Sequence, residues 1–458
     1  MSRSSVRRET LKRLLSLGAA GAGAGGGLAA ALGLVAQSSL AASGDYRVVV
    51  CIHLMGGADG NDLLIPTDGA YLDYAKARPS LAIAKDSLTA LSGSSGGHTY
   101  GLPAALKDLA PLYAQGRLAM IANVGALIKP ITAAQVIART AVIPPYLMSH
   151  SEQTAYIQGW MGDVDLSGWA GRAVELMPTA LKKTLPLIAY DSNFTLLLGK
   201  QSRVTQTQSS YGGNWGNADL SQPSSSWTRS VEALGNMQSR NLYEAEYART
   251  MNATFQDAVA ITQVGKQAVL PSNNFPDTQL SRDLRHVASL LPVFKSQGVR
   301  RQVFQVNLGP FDTHVSQRGQ DQFSLDTMFS MVAPALVAFD TAIKAAGLDQ
   351  NVVTLVMSEF GRTLQPNSSG SDHAWGSHWM VMGGPVQGQQ VVGTFPTLTL
   401  GGPDDGDPYK KGRWVPTTSA DQVGATLMQW LGLTSDQFVS AFPNLANFTQ
   451  KTLSFLRA

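Results

Sequence analysis

The stretches NVVTLVMSEFGRT (351–363) and SDHAWGSHWMVMGG (371–384) decide the fold. Val352 to Met357 is apolar without alternation, the pattern of a strand buried on both faces of a parallel sheet. It stops at Ser358-Glu359, and open α/β sheets bind ligands just beyond the carboxyl ends of their strands. Asp372, His373 and His378 follow within twenty residues, beside a second apolar run from Trp379 to Met382. Carboxylates and imidazoles gathered at strand ends suit a divalent metal of hard or borderline character. The alternative is a glycine-rich surface loop whose polar residues satisfy one another.

Working outward, the same arrangement recurs. Arg301 to Leu308 reads as a strand that ends in Gly309-Pro310-Phe311-Asp312-Thr313-His314. A long amphipathic helix, Gln322 to Gly347, then returns the chain to Val352, and a right-handed crossover places both strands in one parallel sheet. Tyr46 to Met55 is the first strand and runs into Gly56-Gly57-Ala58-Asp59-Gly60-Asn61-Asp62. Asp59 is there a candidate ligand, although Asx-turn chemistry explains it equally well. No helical pattern opens after those glycines, which excludes a dinucleotide fingerprint, and Leu63 to Pro66 continues as an extended segment. His53, inside the first strand, reads as a hydrogen-bonded core histidine.

Leu102 to Tyr113 reads as a helix and Arg117 to Asn123 as the next strand. Ser149, His150 and Ser151 precede a helix-like pattern, so Ser149 is either an N-cap or a serine placed at a helix N-terminus for chemistry. Leu185 to Tyr190 is a further strand. A polar excursion, about residues 195–275, follows and carries Tyr211, Trp215 and Trp227. Its second half, Ser230 to Val264, reads as a helix, as does Leu280 to Phe294. Ser419 caps a helix that closes near Gly432.

The first 41 residues read as an address. Arg7-Arg8 precede a mild Ala/Gly/Leu stretch, and Ser39-Leu40-Ala41 offers small residues for a signal peptidase, the layout of a twin-arginine secretory signal. That implies use of the twin-arginine translocase, a periplasmic or secreted protein and no stable membrane span after cleavage. Arg3, Arg7, Arg8, Lys12 and Arg13 against Glu9 give this segment +4, while the whole chain is +3, so the remainder is about −1. No basic stripe points to nucleic acid. About 417 of the 458 residues remain, ample for a large core, as one elaborated α/β domain or two domains. The single cysteine, Cys51, forbids an intramolecular disulfide and reads as a small buried hydrophobe.

Taken together, the paired arginines, VVVCIHLMGGADGND, the Ser149 segment, FDTH, SEFGRT and DHAWGSHWMVMGG resemble the DUF1501 family of exported bacterial proteins. That family in turn resembles the alkaline phosphatase/sulfatase superfamily. The resemblance implies one domain over residues 45–458: a three-layer α/β sandwich with a mostly parallel central sheet and helices on both faces. It also implies a two-metal site of zinc, manganese or calcium, with Asp59, Asp312, His314, Glu359, Asp372, and His373 or His378 as ligands. Ser149 would be the nucleophile, with Ser151 second, and His150 and Arg362 would assist. Arg362 alternatively orients Glu359 through a salt bridge. Two departures stand out: Phe360 follows Glu359 where a histidine is usual, and Asp-x-His replaces a longer spacing. No Cys-x-Pro-x-Arg motif exists, which excludes a formylglycine sulfatase. The expected activity is metal-dependent hydrolysis of phosphate or sulfate esters. The rival is an envelope binding or assembly protein that kept the sheet and lost the chemistry, with a glycan or protein as partner.

Overall fold

The first strand sits at the centre of the molecule because every residue from Val48 to Leu54 is apolar or hydrogen-bonded and buried. The computed structural model describes residues 46–159, 165–182, 184–209, 214–215, 218–219 and 225–457. The strands of its main sheet are β1 (Arg47–Leu54), β2 (Leu118–Gly125), β3 (Leu187–Ala189), β4 (Thr205–Gln206), β5 (Arg301–Leu308), β6 (Val352–Met357), β7 (Ser377–Met382), β8 (Val391–Val392) and β9 (Thr418–Ser419). They lie in the order β8-β2-β7-β6-β1-β5-β3-β4, with β9 also beside β2. Only β7 runs antiparallel to its neighbours, pairing with β6 on one side and β2 on the other. The sheet is therefore mostly parallel. β5 and β6 share it as expected, but β1 lies between them and pairs in parallel with both.

The helices used below are α1 (Gly60–Leu63), α2 (Tyr71–Ala77), α3 (His150–Ile157), α4 (Trp169–Leu176), α5 (Ser226–Gly235), α6 (Leu242–Gln267), α7 (Gln279–Ser296), α8 (Leu325–Ala345) and α9 (Ala420–Leu431). On one face of the sheet, Val49, Cys51, Val353 and Leu355 pack in a core with Trp169, Ala173, Val423 and Leu427 from α4 and α9. Alternation along a strand turns Val48, Val50 and Ile52 to the opposite face. α7 packs on β5 and against α8. The result is a three-layer α/β sandwich. α8 is long and apolar enough to cross a membrane, yet Leu325, Met328, Phe329, Val332 and Leu336 are buried in the core.

Several expected elements differ. A single helical turn, α1, does open after the glycines, with Asp59 as its N-cap accepting the Asn61 N–H. The segment 102–113 is not one helix: a strand at Tyr100–Leu102 gives way to 3-10 turns at Ala104–Leu109 and a short α-helix at Ala110–Ala114. Pro111 lacks the N–H that a continuous helix would need there. The long helix in the polar excursion is two, α5 and α6, broken after Gly235 and restarted by Asn241 as N-cap. Tyr211 and the expected signal, residues 1–41, lie outside the described residues. His53 is a buried core histidine, and Cys51 is free and buried.

Candidate metal centre

β1, β5 and β6 all end at one edge of the sheet, and their following loops meet there. Gly56 and Gly57 have φ of 115° and 74°, a region that favours glycine. A Cβ on Gly56 would stand 2.6 Å from the Phe311 nitrogen, and one on Gly57 would strike the Phe360 ring at 2.1 Å. Glycine thus lets the β1 loop lie directly against the loop bearing Asp312.

Arg362 fastens these loops. Its guanidinium donates to the carbonyls of Gly57 at 2.9 Å, Gly56 at 2.6 Å and Ser371 at 3.0 Å, and pairs with the Asp312 carboxylate. It is fully buried. Its guanidinium is spent on those carbonyls and on Asp312 rather than on Glu359, so the expected salt bridge to Glu359 is replaced by one to Asp312.

Around Asp312 three imidazoles converge. His150 Nε2 lies 3.4 Å from Asp312 Oδ2, and the Nε2 atoms of His314 and His373 each lie 3.2 Å from Oδ1. The latter two nitrogens are 2.9 Å apart. Among the described residues, His150, Asp312 and His373 bring one ligand atom each within 4.8 Å of one another. The opposite ring nitrogens face oxygen. His373 Nδ1 donates to the Met148 carbonyl at 2.7 Å, His150 Nδ1 meets Glu359 Oε1 at 2.9 Å, and His314 Nδ1 lies 3.5 Å from Asp372 Oδ1. A carbonyl can only accept, so His373 carries its proton on Nδ1 and turns the Nε2 lone pair toward Asp312. Metal-bound histidines are oriented in this way by carboxylates and carbonyls behind them.

Electrostatics agree with that use. Burial lowers the His373 pKa, which keeps its ring neutral. Burial also pushes the Asp312 carboxyl up, but Arg362 and the imidazoles outweigh it and hold the group below its ordinary value. Glu359 is likewise burdened by burial, yet His150 and His53 hold it well below the carboxylate range. Its hydrogen bond raises His150. The set contains side chains that are partly open, from 21% exposed for His373 to 42% for His314.

Glu359 and Asp372 stand behind the imidazoles. Both Glu359 oxygens are already engaged, by the Gly56 N–H and His150 on one side and by His53 and Ser358 on the other. Asp59 and His378 belong elsewhere. Asp59 is buried in an ion pair with Arg78 and accepts from Gln317 at 2.8 Å. His378 is buried, accepts the Asn123 N–H on Nδ1 at 3.1 Å and stacks on Phe395. Burial lowers its pKa to about 4. Arginine and burial thus take both residues out of reach of the cluster.

Ser149 is the N-cap of α3 by backbone only: its hydroxyl makes no cap hydrogen bond and donates instead to Glu152. Ser151, not Ser149, lines a mostly apolar cavity of about 630 Å³ that also reaches His150, Asp312 and Glu359. The sequence marked Phe360 only as a departure from an expected histidine; its ring lies 4.8 Å from that of His373 and 4.9 Å from that of His150. The residue standing where a histidine was expected is a ring against which both imidazoles lie. Sequence reasoning missed Met148, because a backbone carbonyl leaves no signal in the sequence.

The family model described as "Protein of unknown function (DUF1501)" matches residues 46–405. No curated protein matches the sequence. Similar solved structures include the lipoteichoic acid synthase LtaP from Listeria monocytogenes, 8% identical, covering 86% of this chain and 74% of that one with a TM-score of 0.31. A putative sulfatase from Bacteroides thetaiotaomicron is 10% identical over 85% and 71% of the chains with a TM-score of 0.30. A phosphonate monoester hydrolase of Agrobacterium radiobacter is 12% identical over 85% and 74%, also at 0.30. Likeness at this level transfers neither substrate nor reaction.

Proposed function

The chain belongs to the DUF1501 family, and from that premise we propose an exported hydrolase of phosphate or sulfate esters that works with one divalent metal ion. One observation carries this reading: three imidazoles, each backed by an oxygen, aim Nε2 at a single carboxylate. Nitrogen-rich donors favour zinc first; manganese, a harder ion, comes second through the Asp312 carboxylate, and calcium, which takes oxygen ligands, is disfavoured. When bound, such an ion supplies Lewis-acid polarisation of an ester oxygen. The chain's own residues do the rest. Glu359 and the Met148 carbonyl fix the two rings, Arg362 fixes Asp312, and Ser151 presents a hydroxyl to the cavity while donating to Glu152 at 2.6 Å. Ser151 therefore precedes Ser149 as the nucleophile to test. The N-terminal pattern around Arg7-Arg8 supports export through the twin-arginine translocase to the periplasm or beyond.

Elemental analysis of purified protein tests the reading. We expect about one equivalent of zinc or manganese, lost in the Asp312→Ala/His373→Ala double variant. Protein that stays metal-free after reconstitution with either ion would overturn it. A second reading, a binding protein, draws on the start of α6, where Leu242, Tyr243 and Tyr247 are 84%, 88% and 71% exposed. That reading predicts metal-free protein.

A further inference from the structure

We infer that the cavity beside the cluster selects esters of uncharged, largely apolar alcohols. This inference rests on the hydrolase reading for its chemistry but not for its binding test. Apart from the cluster residues, the cavity walls come mainly from Met55, Thr154, Ala155, Asn193, Thr195 and Pro310. Among the described residues, no lysine or arginine lines it. Its volume of about 630 Å³ is that of a site for a small organic molecule.

Charge decides the class. The ionisable groups on the cavity wall are His150, Asp312 and Glu359, so the charges waiting there are an imidazole and two carboxylates. Arg362, which pairs with Asp312, cannot swing in, because its guanidinium is spent on the carbonyls of Gly56, Gly57 and Ser371 as well. An alcohol carrying a second anion would be desolvated against two carboxylates with no lysine or arginine among the described lining residues and only the His150 ring to meet it, a built-in penalty against polyanionic substrates. A phenyl or alkyl group would instead replace water against Met55, Ala155 and Pro310. Asn193 adds one neutral polar handle: among the described residues its Nδ2 meets the Met55 sulfur, at 3.8 Å.

Ligand-observed NMR on the purified chain, with and without zinc, gives the first test. Benzyl alcohol should bind at millimolar concentration and glycerol should not, and Ala155→Trp, which fills the cavity, should abolish the benzyl alcohol signal. With zinc loaded, kcat/KM for phenyl phosphate should exceed that for glucose 6-phosphate at least tenfold. Against 3-phosphoglycerate, whose alcohol carries a carboxylate, phenyl phosphate should keep at least the same lead, and Thr195→Arg should narrow that lead at least tenfold at unchanged metal content. No benzyl alcohol binding, or binding indifferent to Ala155→Trp, overturns the inference, as does a preference for the sugar phosphate. Metal-free protein that still binds benzyl alcohol sinks the hydrolase reading and leaves the apolar cavity standing.

Discussion

Two carboxylate clusters sit near the same sheet edge, and they differ in what faces the oxygens. In the closed one, Asp59 and Asp62 are fully buried and both pair with Arg78, Asp62 at 3.2 Å. Arg318 also pairs with Asp62, Gln317 donates to both carboxylates, and the Tyr74 hydroxyl donates to Asp62 at 2.7 Å. In the open one, Asp312 is 36% exposed and faces imidazoles as well as one guanidinium. A guanidinium has no lone pair to offer a metal and does not lose its proton, whereas a neutral imidazole offers one. Carboxylates alone do not make a metal site; the partners decide. The comparison favours the single-ion reading proposed above, because Asp59, an expected ligand of the two-metal site, is already paired with Arg78. The two clusters are linked, since Gln317 and Arg318 lie just past Asp312 and His314 and pin their loop to the closed network.

The largest expected effect lies in the closed cluster. Arg78→Met leaves two buried carboxylates with one guanidinium and should destabilise the protein by about 3–5 kcal/mol in chemical denaturation. Asp312→Ala strips the buried Arg362 of its carboxylate but leaves it three carbonyl partners, and should cost less, about 1–2 kcal/mol. If Arg78→Met were as mild as Asp312→Ala, the distinction between the regions would collapse.

His378 sharpens the comparison next. It stands on the closed side, since a Cβ on Gly60 would meet its backbone nitrogen at 2.7 Å, and burial holds its pKa at about 4 against an ordinary 6.5. The unfolded chain takes up this proton first, so the contribution is complete above pH 6.5 and disappears as pH falls through 4. Stability should drop by about 3 kcal/mol from this group between pH 7.5 and 4. Denaturation curves of His378→Gln should be flatter by that amount. An unchanged slope would mean that His378 is charged or solvated.

On the open side, Glu359→Gln should weaken zinc binding about 10–100-fold in a chelator competition, because it removes the carboxylate that orients His150. Unchanged affinity would mean that His150 is not a ligand. Smallest of all, Ser149→Ala should shift stability by no more than about 0.5 kcal/mol, since its hydroxyl makes no cap bond to α3. A loss near 1 kcal/mol would restore the capping role.

Much of the scaffold was legible along the chain. Arg301–Leu308 and Val352–Met357 are strands with the limits that their apolar runs announce, and Ser419 with Gln422 forms the capping box expected before α9. Asp312, His314, His373 and His150 could be picked out because each follows a strand or opens a helix near glycine or serine. The sequence by itself therefore determined the elements, the edge at which chemistry gathers and the residue types available there, since periodicity and turn chemistry are local. It did not show that Arg78 would claim Asp59, that Arg362 would turn inward to carbonyls, or that Phe360 would lie against two imidazoles. Those outcomes depend on contacts between residues 19 to some 300 positions apart. Only tertiary structure decided them, because whether a carboxylate meets a guanidinium or an imidazole is settled by which loops the sheet brings side by side.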